Sequence, residues 1–238
     1  WAMRDALTPD KVAYNATISA CEKAAQWCRA LCMMANMRQV CLLPDTVSYN
    51  SLISALEKSA EWERALKIML DMQLVRTASD VITHSAAMSA CGRGGQWQQS
   101  WWILSSMLRA RIEADVVSCN AAISACEFQG LWHHAICMLD FMVSLLLQPT
   151  VVTYGAVASA CEKGFEWNHA LWALNSMFCS SLVTSIICIN AVIGAAARSG
   201  QWCHALAIVY DMMSFRFTPD AVTFGSAISS CQRSFHWQ

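Results

Sequence analysis

The stretch Lys11–Asp45, KVAYNATISACEKAAQWCRALCMMANMRQVCLLPD, decides the fold, because the chain repeats its pattern at a fixed interval. Its tryptophan, Trp27, recurs every 35 residues as Trp62, Trp97, Trp132, Trp167, Trp202 and Trp237. Met37, Met72, Met107, Met142, Met177 and Met212 keep the same register ten places later, and Cys21, Cys91, Cys126, Cys161 and Cys231 keep it six places earlier. Residue types that stay in phase over such a distance mark a tandem array, and the period settles the architecture before local propensity is weighed. With Trp at position 17, complete repeats run 11–45, 46–80, 81–115, 116–150, 151–185 and 186–220 without insertion or deletion. Residues 1–10 read as the end of a preceding repeat and 221–238 as the first half of a further one, so 1–238 is expected to be a single array. Polar end units, which a finished solenoid needs, are absent from the pattern, and a segment of a longer protein is expected.

Each unit divides into two apolar-periodic stretches, Val12–Lys23 and Trp27–Met37 in the first, separated by a short polar break. Pro9, Pro44, Pro149 and Pro219 all precede the last residue of a repeat, where the chain must turn. This is the pattern of a helical hairpin. The expected fold is all-α, a right-handed α-solenoid of helix-turn-helix repeats with the first helices lining the concave face. On a helical wheel Tyr14, Thr17, Ile18 and Cys21 share the side toward the second helix. Alanine at position 10 (Ala20, Ala55, Ala90, Ala125, Ala160, Ala195) lets adjacent first helices approach closely.

Composition agrees with stacking. Apolar residues make up 56 % of the chain and charged ones 14 %, against about 25 % charged in an ordinary globular domain, so neighbouring units must cover much of each helix. The 13 cysteines read as free core thiols in a reducing compartment, since five of them share one repeat position and would lie one per layer. Cys28 with Cys32, and His133 and His134 with Cys137, have helical spacing compatible with a metal, but no CxxC pair completes either group. No metal site and no cofactor are expected. From Asn168 to Ala197 no residue is charged, a length that suggests a membrane span. The register contradicts it, because Ser180, Ser181, Thr184 and Ser185 fall where every other unit turns, so two packed helices and no membrane are expected. Carboxylates recur by repeat rather than clustering, and neither a Gly-rich phosphate loop nor a His-x-Glu with CxxC is present, so no enzyme and no small-molecule substrate are expected.

The opposite side of the first helix carries the chemistry. Positions 2, 5, 9 and 13 fall within roughly 80° of one another on the wheel. Position 2 is Val12, Val47, Ile82, Val117, Val152, Ile187 and Val222, and position 9 is serine except for Gly194. Position 13 is Lys23, Lys58, Arg93, Phe128, Lys163, Arg198 and Arg233. Position 5 reads Asn15, Asn50, Ser85, Asn120, Gly155, Asn190 and Gly225, and the closing position 35 reads Asp45, Asp80, Asp115, Thr150, Ser185 and Asp220. An apolar wall beside a directional donor and acceptor, with a cation one helix-length away, suits a ligand with a flat face, a hydrogen-bonding edge and a phosphate. A nucleotide is such a ligand. Each column also has a plainer reading: the position 35 residue caps the next helix, the position 5 asparagine is an ordinary residue of the first turn, and the cations are a solvated face. Their joint occurrence on one strip favours recognition. The Trp, Met and Cys columns read as core.

With the register VAYNATISACEKAAQWCRAL…M…LLPD in hand, the chain resembles the pentatricopeptide-repeat family over all its residues. The period, the V-x-Y-N start of units one and two (Val12–Asn15, Val47–Asn50), alanine at position 20 (Ala30, Ala65, Ala135, Ala170, Ala205), the Met column and the Pro-Asp close carry the likeness. Tetratricopeptide repeats run 34 residues and place tryptophan near the start of the first helix, unlike this chain. The spacing resembles the P-type repeat, and the tryptophan at position 17 an algal flavour of it. The resemblance implies binding of single-stranded RNA, one base per repeat, with the protein N-terminus toward the RNA 5′ end. It implies that positions 5 and 35 read the base edge, that position 2 side chains sandwich the base, and that Lys23, Lys58, Arg93, Lys163 and Arg198 reach phosphate.

Carried over by residue, Asn15 with Asp45, Asn50 with Asp80 and Asn190 with Asp220 are similar to pairs that favour U. Ser85 with Asp115 resembles a pair for G, and Asn120 with Thr150 a loose pyrimidine pair, while Gly155 with Ser185 matches no defined pair. The implied preference is 5′-U-U-G-pyrimidine-N-U, with Ser85→Asn moving the third base from G to U. His84 and Cys119 replace the family's tyrosine, and Phe128 replaces a cation. The family's work on RNA stability, processing, editing or translation implies an organelle, chloroplast ahead of mitochondrion. A helical scaffold for protein partners is the alternative, which the net charge of −1 and a pI near 6.6 support, since non-specific nucleic-acid binders are basic.

Overall fold

A computed structural model describes residues 10–180, 182, 185–214 and 217–233. Pro9, Ser181, Thr184 and Trp237, used above to set the register, lie outside the described residues. Among those described, every element is a helix or a turn. Two compact units divide them. The first, Trp1–Gly94 with Gln98–Ala114, holds α1 (Lys11–Lys23), α2 (Trp27–Gln39), α3 (Thr46–Lys58), α4 (Trp62–Leu74), α5 (Val81–Arg93) and all but the first residue of α6 (Trp97–Arg109). The second, Gly95–Trp97 with Asp115–Gln238, holds α7 (Val116–Gln129), α8 (Trp132–Ser144), α9 (Val151–Lys163), α10 (Trp167–Cys179), α11 (Ile186–Arg198), α12 (Trp202–Ser214) and α13 (Ala221–Arg233).

Each unit stacks hairpins in the same way, which makes the fold class an all-α solenoid of helix-turn-helix repeats. In the first, α1, α3 and α5 pack in sequence, while α2 and α4 each pack on their own first helix and on the next one. In the second, α7, α9, α11 and α13 pack in sequence, with α8, α10 and α12 bridging in the same manner. Position 10 makes the close approach possible: Ala55, Ala90, Ala125, Ala160 and Ala195 are all 0 % exposed. The core between layers is the methionine column with position 8 of the first helices, where Met37, Met72, Met107, Met142, Ile18 and Ile53 are fully buried. The uncharged stretch forms α10 and α11, and no described helix is long and apolar enough to cross a membrane.

The cysteine column is core as expected at Cys91, Cys126 and Cys161, whose thiols burial pushes up to about 12, about 11 and about 12. The tryptophan column is not. Trp27, Trp62, Trp132 and Trp167 are half-buried, because position 17 opens the second helix and no preceding turn covers it. Each indole instead lies against the next hairpin. The Arg64 guanidinium sits 4.2 Å over Trp27, the His169 and His204 rings lie 4.3 and 4.5 Å from Trp132 and Trp167, and a Cβ at Gly164 would come within 2.5 Å of Trp132.

The turn inside each hairpin places one residue in the left-handed region. Gly95, Gly130 and Gly200 occupy that position in three repeats, whereas Ala60 (φ 56°) and Phe165 (φ 62°) occupy it in others. A Cβ in this conformation is crowded by the adjacent carbonyl. Phe165, more than half exposed, has little packing to lose. Phe165→Gly is expected to stabilise the protein by about 1 kcal/mol, read as a rise in the urea midpoint, and an unchanged midpoint means the phenyl contacts offset the strain.

Candidate functional site

The strip expected from the wheel is present at the surface of the first helices. Val12, Val47, Ile82, Val117, Val152, Ile187 and Val222 are all exposed, from 57 % at Val117 to 72 % at Val12. β-Branched residues held this far out of the core form an apolar wall once per layer.

Between these walls the position 5 and position 35 side chains meet. Asn15 Nδ2 donates to both carboxylate oxygens of Asp45, at 3.2 and 3.4 Å. Asn50 Nδ2 does the same to Asp80, at 3.1 Å each, and Asn190 Nδ2 to Asp220, at 3.2 and 3.3 Å. Capping and pairing prove to be one arrangement. Asp45 Oδ1 accepts from Ser48 N at 3.0 Å, and Asp80 Oδ1 and Asp220 Oδ1 accept from Thr83 N and Thr223 N at 2.8 Å. The aspartate starts the next first helix and, from the same place, holds the preceding asparagine.

Partial burial alone would push the Asp45 carboxyl up, but hydrogen bonds from Lys11, from the Ser48 backbone and side chain, and from Asn15 together bring it down to about 2. Asp80 is likewise raised by burial and lowered further by Thr83 and Asn50, and Asp220 is lowered by the Thr223 backbone and hydroxyl and by Asn190. Depressed carboxyls favour the folded state above their unfolded pKa, and this contribution is lost only as pH falls through the folded value. The pairs therefore stay ionised throughout the neutral range.

The remaining residues at positions 5 and 35 differ. Ser85 is 8 % exposed. Asp115 caps α7 through Ser118 N at 2.8 Å. Asn120 faces no carboxylate, because Thr150 stands at position 35 and bonds to the Thr153 hydroxyl at 3.1 Å. Gly155 has no side chain to meet Ser185, whose hydroxyl accepts from Ile187 N at 3.1 Å. A cavity of about 320 Å³ opens at this repeat, with Val152, Gly155, Ser185, Ile187 and Cys188 among its lining.

Two features were not foreseen in the sequence. One is a hydroxyl at position 3 of the repeat that follows each asparagine, in Ser48, Thr83, Thr153 and Thr223, all 0 % exposed. Ser48 Oγ donates to Asn15 Oδ1 at 2.5 Å, Thr83 Oγ1 to Asn50 Oδ1 at 2.5 Å, Thr153 Oγ1 to Asn120 Oδ1 at 2.6 Å and Thr223 Oγ1 to Asn190 Oδ1 at 2.6 Å. The other is an acid at position 12. Lys58, Arg93, Lys163 and Arg198 are exposed, as expected, but each is paired with a glutamate of the preceding repeat: Glu22 at 3.2 Å, Glu57 at 3.6 Å, Glu127 at 3.4 Å and Glu162 at 3.3 Å. Burial pushes the Glu57 and Glu162 carboxyls up despite the opposing pull of Arg93 with Lys58 and of Arg198 with Lys163. Lys58, Arg93, Lys163 and Arg198 therefore stand in ion pairs between neighbouring first helices and not as free cations.

An exposed apolar residue near the start of each first helix, an amide–carboxylate pair in three of the repeats and ion pairs between neighbouring first helices define an α-helical repeat protein with a periodic surface strip. Family comparison names the repeat. The pentatricopeptide repeat domain matches residues 2–59 and 102–163, the PPR repeat family matches 44–93, and the PPR repeat matches 82–112. The chain belongs to the pentatricopeptide-repeat family. No curated protein sequence matches it significantly.

Among solved structures, the pentatricopeptide repeat protein PPR10 from maize is similar over 94 % of this chain and 32 % of its own, at 24 % identity and a TM-score of 0.75. PPR10 in complex with an 18-nt psaJ RNA element is similar over 96 % of this chain and 38 % of its own, at 18 % identity and a TM-score of 0.58. The PPR domain of Arabidopsis thaliana protein-only RNase P 1, in complex with tRNA, is similar over 76 % of this chain and 95 % of its own, at 10 % identity and a TM-score of 0.64. The chain thus spans about a third of the length of PPR10.

Proposed function

We propose that this chain is a sequence-selective binder of single-stranded RNA that reads one base per repeat along a single array, 1–238. The observation that carries it is the amide–carboxylate pair recurring as Asn15–Asp45, Asn50–Asp80 and Asn190–Asp220, in each case beside an exposed position 2 wall. Such a pair offers a donor next to an acceptor, which matches the O4 and N3–H edge of uracil, while the apolar walls on either side take the faces of the base. The RNA preference is 5′-U-U-G-pyrimidine-N-U, with the fifth base unread because Gly155 presents no side chain. PPR10 and the RNase P domain, whose structures hold RNA and tRNA, support the class of ligand. By family resemblance the protein works in an organelle, chloroplast ahead of mitochondrion, as a binder and not a catalyst.

Asn50→Ser tests the reading within one repeat. A serine leaves room that the asparagine fills, so the site admits a purine while Asp80 accepts from the donor edge of guanine. The variant is expected to shift the second base from U to G by on the order of 1 kcal/mol, because one or two accessible hydrogen bonds exchange against water. Titrations against RNAs that differ only at that base measure it, and an identical rank order in parent and variant means Asn50 does not read RNA.

A further inference from the structure

The asparagine amide could in principle face the groove in either of two orientations, and they read opposite partners. With Nδ2 outward the side chain offers a hydrogen, as uracil O4 requires. With Oδ1 outward it offers a lone pair, as the cytosine amino group requires. What the structure adds is a second group that discriminates between them.

The hydroxyls at position 3 have one hydrogen each, and their acceptor side is already engaged: Asp45 N, Asp80 N, Thr150 N and Asp220 N donate to Ser48 Oγ, Thr83 Oγ1, Thr153 Oγ1 and Thr223 Oγ1 at 3.3, 3.3, 3.0 and 3.2 Å. Each hydroxyl hydrogen has the asparagine Oδ1 at 2.5 to 2.6 Å and, for Ser48, Thr83 and Thr223, an aspartate Oδ1 farther off at 2.8 to 3.0 Å; the shorter contact is to the asparagine, and it draws that oxygen inward. The contact does not depend on the carboxylate, since Thr153 makes it to Asn120 where Thr150 replaces aspartate. Opposite Ser85 the position 3 hydroxyl is Ser118, whose Oγ donates to the Asp115 carboxylate at 2.5 Å. The equivalent of the hydroxyl opposite Gly155 is Cys188, whose Sγ lies 3.4 Å from where a Gly155 Cβ would be and donates to Val151 O instead.

We propose that Ser48, Thr83 and Thr223 are positioning residues for base selection: each holds the reader's Oδ1 inward, so that Nδ2 presents its second hydrogen to the base and uracil is chosen over cytosine. This rests on the base-reading function proposed above. The buried hydroxyls touch no base themselves. They act through Asn15, Asn50 and Asn190, and they place part of the specificity of one repeat in the sequence of the next.

Thr83→Val keeps the shape of a fully buried side chain and removes the hydrogen. Binding of the whole chain is measured to RNA carrying UUGUAU, to the same RNA with C at the second base, and to the same RNA with C at the sixth. The variant is expected to lose about fivefold of its U-over-C preference at the second base, the equivalent of one net hydrogen bond, with the sixth-base preference kept. Thr83→Ser restores the parent ratio. A hydroxyl that only caps α5 gives a different result: Thr83→Val then weakens binding to all three RNAs by one common factor and lowers the melting temperature, and the proposal is overturned. Should Thr83→Val not fold, Ser48→Ala with the first base varied gives the same reading at the edge of the stack. A parent protein that shows no preference at the second base refutes base reading itself, which is distinct from an unchanged ratio in the variant.

Discussion

Replacing Glu22, Glu57, Glu127 and Glu162 by glutamine together is expected to tighten binding to RNA of every sequence, on the order of several thousandfold at 0.05 M salt and hardly at all near 1 M. Lys58, Arg93, Lys163 and Arg198 now lie 3.2 to 3.6 Å from these carboxylates. An exposed ion pair of this kind contributes at most about 1 kcal/mol, so phosphate can displace a glutamate cheaply. The displaced carboxylate nevertheless stays near the phosphate and repels it. Removing the four acids leaves the cations to the RNA backbone, and the log–log salt plot should steepen by about 0.7 for each cation released. Because the Coulomb attraction ignores the base, the order of preference among bases is unchanged. A salt slope equal to the parent's means the position 13 cations do not reach phosphate.

Acid should reproduce part of this effect without mutation. Glu57 and Glu162 are held above the ordinary glutamate value by burial, so they take up protons first as pH falls from 7 and leave Arg93 and Arg198 without partners. The position 35 carboxylates do not follow, since hydrogen bonding holds Asp45 down at about 2 and lowers Asp80 and Asp220 as well. Affinity is therefore expected to rise as pH falls toward the carboxylate range, while base preference holds.

The period placed every first and second helix in the sequence, and the wheel placed the exposed wall from Val12 to Val222, because both follow from spacing along one chain. What escaped notice depends on contacts between repeats. Glu22 and Lys58 are 36 residues apart and meet only when α1 and α3 stack, whereas Glu22 and Lys23, adjacent in sequence, do not face each other on a helix. The bond from Thr83 to Asn50, 33 residues earlier, has no local signal. The tryptophan column reads as core in the sequence but is half-buried at Trp27, Trp62, Trp132 and Trp167. A residue that opens a helix has its covering surface supplied by the next hairpin, and sequence periodicity does not record which neighbour that is.

Tyr49→Ala is expected to cost about 3–5 kcal/mol, the range for truncating a buried aromatic ring, and to disable two readers at once. Tyr49 is 0 % exposed, and its hydroxyl accepts a hydrogen bond from Arg38 Nη2 at 3.0 Å, which ties α3 back to α2. Its neighbours in the chain are Ser48, which holds Asn15, and Asn50, which pairs with Asp80. The ring therefore fixes the turn of α3 on which Ser48 and Asn50 stand. Tyr49→Phe keeps the ring and removes only the hydrogen bond, so it should cost about 1 kcal/mol and leave base preference intact. Urea melts of the two variants separate packing from hydrogen bonding. In a stack where each repeat touches only its neighbours, Tyr49→Ala should abolish the preference for U at the first and second bases and spare that of Asn190 at the sixth. Loss at all three bases would instead mean that the repeats order RNA as one cooperative body, with no reader independent of the rest.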